Sequence, residues 1–221
     1  MNHKDTTVPS TPSASGAERQ RPRSNWPLYL IVAMCLAPVV FAVLAYYVPA
    51  LGLRPEGHTN YGTLIQPQRP MPDSKALPLH TLDGKPFDLE SLRGQWLLVS
   101  ADDAACPESC IRKLFILRNS HASQGKEVER LARVWFVVDK APVSDEVLEF
   151  YRGTNMLRAD PAELAAFLAP SATPQEREAA LRQPMWIIDP LGNLMMQFPA
   201  DADPIEVRDD IRKLLKNSRI G

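Results

Sequence analysis

Cys106 and Cys110 stand four residues apart in the stretch "VSADDAACPESCIRKLFILRNS", and the chain has one other cysteine, Cys35. Two thiols at that spacing support two kinds of chemistry. Oxidised, they close a disulfide; reduced, their thiolates converge on one soft metal ion. Both need the sulfurs on one face, which a helix supplies for residues four apart. Cα atoms so placed fall within the roughly 4.4–6.8 Å that a disulfide accepts.

Pro107 suits the first turn of a helix and follows Cys106 directly, which sets Cys106 at the positive end of the helix dipole. A thiolate is favoured there, so Cys106 is the attacking thiol and Cys110 the resolving one. Asp102, Asp103 and Glu108 oppose this, because nearby negative charge disfavours a further anion. A disulfide kept only for stability is a third reading of the same two residues.

The elements that must hold the pair are legible around it. "WLLVSA", residues 96–101, is a continuous apolar run of strand length, as in a buried parallel strand. "CPESCIRKLFILRNSH" is a helix whose core face carries Ile111, Leu114 and Phe115. "VWFVVD", 134–139, is a second buried strand, followed by a helix around 144–152 that Ser144 opens. "ADPAELAAFLAP" is a short helix with Asp160 as N-cap and Pro161 at its first position. "SATPQEREAALRQ" is polar and expected to be a mobile excursion. "MWIIDPLGNLMMQF", 185–198, is a hairpin, and "DPIEVRDDIRKLLKN" a closing amphipathic helix capped by Asp203. Before all of these, Asp83-Gly84 marks a small hairpin.

Hairpin, strand, helix, strand, helix, hairpin, helix is the order of an α/β domain with a mixed sheet flanked by helices, the layout of a thioredoxin-like fold. Trp96, Trp135 and Trp186 fall on its strands and are expected in the core, and Met195 and Met196 belong to its last hairpin.

The N-terminal part reads differently. Residues 1–25 are polar, rich in Ser, Thr and Pro, and expected to be disordered. Residues 26–49 carry no charge and are long enough to cross a bilayer, with Trp26, Tyr29, Tyr46 and Tyr47 towards the two ends. Cys35 lies inside this span and reads as a small apolar residue. Its length, and Pro49 beside the only small-residue cleavage site, favour an uncleaved anchor over a signal peptide. Lys4, Arg19, Arg21 and Arg23 precede it, so the positive-inside rule keeps the N-terminus in the cytoplasm and exports the rest. Residues 50–75, with Pro55, Pro67, Pro70 and Pro72, read as a linker, and residues 76–221 as the folded domain. A formal net charge of -1 argues against nucleic acid as a partner.

"CPESC" after a buried strand, preceded by "LDGKPFDLESLRGQWLLVS", resembles the Sco/SenC family. These are membrane-anchored thioredoxin-fold proteins that help to assemble the copper centre of cytochrome c oxidase. The resemblance spans residues 76–221 and implies, as partner, an oxidase subunit or another copper or thiol protein. It implies a bacterial inner membrane with a periplasmic domain, since the N-terminus lacks the Arg-rich amphipathic pattern of a transit peptide. The family's copper site also has a histidine in the C-terminal half. Here the four histidines are His3, His58, His80 and His121, with none after His121. The chain is thus a divergent member, for which Cu(II) with two sulfurs and one nitrogen has no third ligand.

Cu(I), content with sulfur alone, remains open, held by Cys106, Cys110 and Met185. Redox-active relatives of this fold carry a cis-proline facing the pair, which implies a cis Gln183–Pro184 bond and a place for Pro184 in the catalytic site. His80 and His121 are expected at the surface. Three functions follow: a thiol–disulfide protein that keeps an oxidase cysteine pair ready for copper, a Cu(I) carrier using the same sulfurs, and a non-catalytic docking factor with a structural disulfide.

Overall fold

The computed structural model describes residues 25–48 and 60–220, and divides the chain into a unit up to Gly57 and a second from His58 onwards. In the first, α1 (Trp26–Tyr47) is a single apolar helix with Pro38 inside it, long and apolar enough to cross a membrane. The expected disordered tail lies outside the described residues, as does the stretch joining the two units.

The second unit is built on one sheet of eight strands. They are β1 (Thr63–Pro70), β2 (Leu79–Thr81), β3 (Pro86–Phe87), β4 (Trp96–Asp102), β5 (Leu131–Val137), β6 (Asn155–Arg158), β7 (Met185–Ile188) and β8 (Asn193–Phe198). Their order in the sheet is β1-β8-β7-β4-β5-β6-β2-β3. β4, β5 and β6 run parallel, while β7, β8 and the edges are antiparallel. The parallel connections pass through α2 (Glu108–Ala122) and α3 (Asp145–Phe150). α4 (Pro161–Leu168), α5 (Arg177–Arg182) and α6 (Pro204–Asn217) complete the unit.

Every residue of β4 is buried, so its alternating side chains serve two cores. Trp96 and Leu98 join the core that holds Cys106, Cys110, Leu114, Trp135 and Ile211. Leu97, Val99 and Ala101 face the other way, into the core with Phe136, Leu164, Leu168 and Trp186. This burial on both faces is the reason the run reads as continuously apolar. The three tryptophans of the strands are buried, as are Met195 and Met196. The expected caps are present: Ser144 accepts from Val147, Asp160 from Ala162 and Glu163, and Asp203 from Ile205.

Four expectations are corrected. Phe115, expected on the core face of α2, is 47% exposed, because it lies beyond the face that buries Leu114 and Leu117. Residues 63–70, assigned from sequence to the linker, are β1, the edge strand beside β8. Proline is tolerated there because an edge strand has one side free of ladder bonds, and Pro67 falls where the register of β1 shifts between Leu64 and Arg69. Residues 177–182, inside the expected mobile excursion, form α5, which buries Leu181 in the second core. The cis bond expected at Gln183–Pro184 is trans; among the described residues the cis peptide is Gln66–Pro67. Gln183 closes α5 with its N–H on the Ala179 carbonyl, and the chain passes straight from helix into β7 with no reversal that needs the less favoured isomer.

Candidate functional site around the cysteine pair

The pair sits where β4 gives way to α2. Its loop begins at Asp102, turns through a hydrogen bond from Cys106 N–H to the Asp103 carbonyl, and enters the helix with Pro107 as N-cap residue. Cys106 takes a left-handed backbone conformation, φ +40°, the sole described residue other than glycine with a positive φ. Such a conformation strains a residue with a Cβ and persists where the surroundings impose it. Cys106 and Cys110 are joined as a disulfide, S–S 2.01 Å, with their Cα atoms 5.0 Å apart. Cys106 retains 6% exposure and Cys110 none, so of the two residues Cys106 is the one that reaches the surface.

The two aspartates before the pair are neutralised in three dimensions. Lys113 and Asp102, 3% and 2% exposed, form an ion pair with Nζ 2.9 Å from Oδ2. The same Nζ donates to the Ala101 carbonyl at 2.8 Å and to the Arg182 carbonyl. One buried ammonium thus ties together the end of β4, the helix that carries Cys110, and the end of α5. Burial pulls the Lys113 ammonium below its ordinary value, Asp102 opposing this and Arg182 adding to it. Asp103, in turn, meets Arg182 at 3.0 Å, and Arg182 also binds Glu178 at 2.7 Å. These contacts, Glu178 first, hold the Arg182 guanidinium above its ordinary value.

Two of the three carboxylates that seemed to oppose a Cys106 thiolate are therefore paired with cations. Lys113 carried a sequence signal: it occupies the apolar face of α2 between Cys110 and Leu114, a place where a lysine needs a partner. Arg182 carried none.

An open cleft of about 520 Å³ lies alongside, lined by Asp103, Pro107, Ser109, Ala179, Arg182 and Gln183 among others. Pro184 lines a neighbouring cleft of about 360 Å³ on the other side of α5. Met185, 1% exposed, belongs to the same buried cluster as both cysteines. Ser100 and Trp135 face each other across β4 and β5 in register, and neither the serine hydroxyl nor the indole N–H has a hydrogen-bond partner among the described residues.

Neither described histidine is brought to the pair. His80 is exposed on β2, three strands from β4 in the sheet. His121 is partly buried near the far end of α2, eleven residues and about 16 Å along the axis from Cys110. Burial, and then Arg133, push its imidazole below the ordinary value. With the folded pKa below the unfolded one of about 6.5, the unfolded chain takes up the proton first as the pH falls. Stability is therefore expected to decline as the pH drops through and below about 6.5, and to decline less in His121→Gln. Urea unfolding of both proteins at about pH 7.5 and about pH 5.5 measures this, and parallel losses would refute it.

A family described as "Transmembrane-like, thioredoxin-like, C-terminal domain" matches residues 96–218, from β4 through α6 and more than half of the chain. The chain belongs to this family. The cysteine pair lies inside the stretch that defines the transmembrane-like, thioredoxin-like family, whereas β1, β2 and β3 lie before it. Yeast Sco1 with copper bound is similar in fold, at 17% identity and a TM-score of 0.50, over 69% of this chain and 91% of that one. A thiol:disulfide interchange protein from Bacteroides sp. is similar at 13% identity and the same TM-score, over 69% and 91%. So is an electron transfer protein, described as putative, from Aquifex aeolicus VF5, at 15% identity and 0.50, over 68% and 95%. At these identities the likeness is one of fold. No curated protein matches the sequence.

Proposed function

We propose that this chain is a membrane-anchored thiol–disulfide protein that assists assembly of the copper centre of cytochrome c oxidase through Cys106 and Cys110. The observation that carries the redox part is the closed disulfide at the β4–α2 turn, with Cys106 the one of the pair that reaches the surface and a cleft lined by the adjoining Pro107. The copper-centre part rests on the resemblance of "CPESC" and its flanks to the Sco/SenC family, and the fold shared with copper-bound Sco1 supports it. The charge ahead of α1 supports a cytoplasmic N-terminus and a periplasmic domain at a bacterial inner membrane.

In the reduced chain, the Cys106 thiolate attacks a partner disulfide, forms a mixed disulfide and expels one partner thiolate. Cys110, deprotonated, then attacks Cys106 Sγ and releases the second partner thiolate. The partner gains two electrons and, on protonation, two thiols. This chain is left with the disulfide seen here, which a separate dithiol protein must reduce for another cycle.

A second reading has its own observation. Met185 shares the buried cluster of the two cysteines, which favours a Cu(I) carrier with three sulfur ligands once the pair is reduced. The full chain in detergent, reduced and anaerobic, separates the two, with Cys106→Ser and Cys110→Ser alongside. The expected result is exchange with a glutathione redox buffer that both substitutions abolish, without Cu(I) binding in competition with a chelator of known affinity. One-to-one Cu(I) binding lost in both variants would replace the redox reading by the carrier. A pair that neither exchanges nor binds copper would leave a structural disulfide and a docking protein.

A further inference from the structure

The outward face of α2 carries an unneutralised basic and aromatic stripe. Arg112, Phe115 and Arg118 recur at intervals of three and share one side of the helix. Phe115 is 47% exposed, and Phe150 of α3, 55% exposed, lies under the Arg118 guanidinium at 4.6 Å from its ring centre. Single exposed apolar residues are ordinary on a protein surface; here Phe115 stands one turn from an arginine that itself covers a second exposed phenyl ring.

The charge of that patch is not met from within. Arg112 donates to the carbonyls of Asp201 and Ala202 at 3.4 Å each, and among the described residues neither it nor Arg118 forms an ion pair. Arg133, 8% exposed on β5, donates to the Arg152 carbonyl at 3.1 Å and has no carboxylate partner either. Burial and then Arg118 lower the Arg133 guanidinium, as expected where like charges gather. The nearby Glu149 is engaged by Arg152 at 3.6 Å. The ordinary remedy of a surface carboxylate one turn away is thus missing for Arg118 and Arg133.

We propose that this stripe is the docking face for an acidic segment of a partner protein, with carboxylates at Arg112 and Arg118 and an apolar side chain against Phe115 and Phe150. Arg112 and Arg118 stand about 9 Å apart along the helix, a span that carboxylates three residues apart cover on one face of a polyproline-II segment. Arginine and aromatic residues are the side chains that anchor protein interfaces most often. The stripe lies on the outward side of the helix whose buried side bears Cys110. Binding itself needs no thiol, and the proposal stands or falls separately from the redox reading.

The test uses the full chain in nanodiscs of neutral lipid and a fluorescein-labelled peptide of about ten residues with Glu at every third position and Leu beside each, followed by anisotropy. Saturable binding is expected, weakening several-fold between about 50 and about 500 mM salt. Arg112→Glu/Arg118→Glu is expected to weaken it at least about tenfold and Phe115→Ala/Phe150→Ala by a similar factor, whereas Lys75→Glu, exposed elsewhere, changes it less than about twofold. Of these side chains only Arg112 makes hydrogen bonds among the described residues, to the Asp201 and Ala202 carbonyls, and thermal melts of each variant check that the fold persists. Absence of binding, or equal weakening by Lys75→Glu, would overturn the proposal. So would co-sedimentation with phosphatidylglycerol vesicles, lost in Arg112→Glu/Arg118→Glu, from a chain that ignores the peptide, since it would make the face a lipid contact.

Discussion

Lys113→Met is expected to lower the free energy of unfolding by about 3–5 kcal/mol, the range for breaking a buried ion pair from one side. The substitution keeps the length and apolar stem of the side chain but leaves Asp102, 2% exposed, charged and without its cation. It also strips the Ala101 and Arg182 carbonyls of a donor, so the end of β4 and the end of α5 lose the atom that ties them together. Asp102→Asn/Lys113→Met is expected to lose less than Lys113→Met alone, because the stranded charge is gone. Urea unfolding of the two variants decides this. A Lys113→Met protein as stable as the wild type would show that the ammonium contributes nothing net. A double variant weaker than the single one would show that the Asp102 carboxylate gains more from the Asp103 N–H it accepts at 3.0 Å than its lone burial costs. The pair also bears on the site, since Arg182, which neutralises Asp103 beside the disulfide, is positioned through its own carbonyl by Lys113.

Cutting the chain at the boundary suggested by its prolines gives the second large effect. A chain shortened to residues 74–221 is expected to be at least about 3 kcal/mol less stable than one shortened to 58–221. The shorter form lacks β1, which covers the edge of β8 from Thr63 opposite Gln197 to Pro70 opposite Asn193. It also lacks Gly62, whose N–H donates at 2.9 Å to Asp210, a carboxylate 1% exposed. Gly62 is there because nothing larger fits: a Cβ would lie 2.6 Å from Met196 Sδ and 2.8 Å from Phe198 Cε1. Tyr61 stacks on Phe198, its ring centre 6.4 Å away, and its hydroxyl accepts from Asp203 N–H at 3.1 Å. Removing these contacts bares an unpaired strand edge backed by Met196 and Phe198, and aggregation of the shorter form is expected as well. Equal urea midpoints and slopes for the two forms would show that β1 is an ornament on a complete sheet.

The second prediction rests on a strand that the sequence concealed, whereas the first rests on Lys113, whose place on the apolar face of α2 signalled a partner without naming it. β1 was hidden because Pro67 and Pro70 read as linker residues, and proline's exclusion from strands is relaxed only at an edge or bulge, which the sequence does not mark. α5 was hidden because its single buried residue, Leu181, gives no periodic signal. The trans Gln183–Pro184 bond overturned an expectation carried by resemblance, and no local feature of "RQPM" distinguished the isomers.

What the sequence determined by itself was everything encoded within a few residues. The spacing of Cys106 and Cys110 kept the two within bridging range, although Cys106 precedes α2 and reaches Cys110 from a left-handed turn rather than from the helix itself. Continuous apolar runs set the buried strands β4 and β5, and Ser144, Asp160 and Asp203 set three helix starts. An uncharged run set α1. The tertiary structure alone decided the environment of the pair. Asp103 and Arg182 are 79 residues apart and meet because β7 lies beside β4 in the sheet, which delivers the end of α5 to the loop before Cys106. The same packing buries Cys110 and leaves the Arg112–Arg118 face of α2 outward. Charge compensation and exposure depend on which elements become neighbours, a property of the whole sheet order that no short stretch of residues contains.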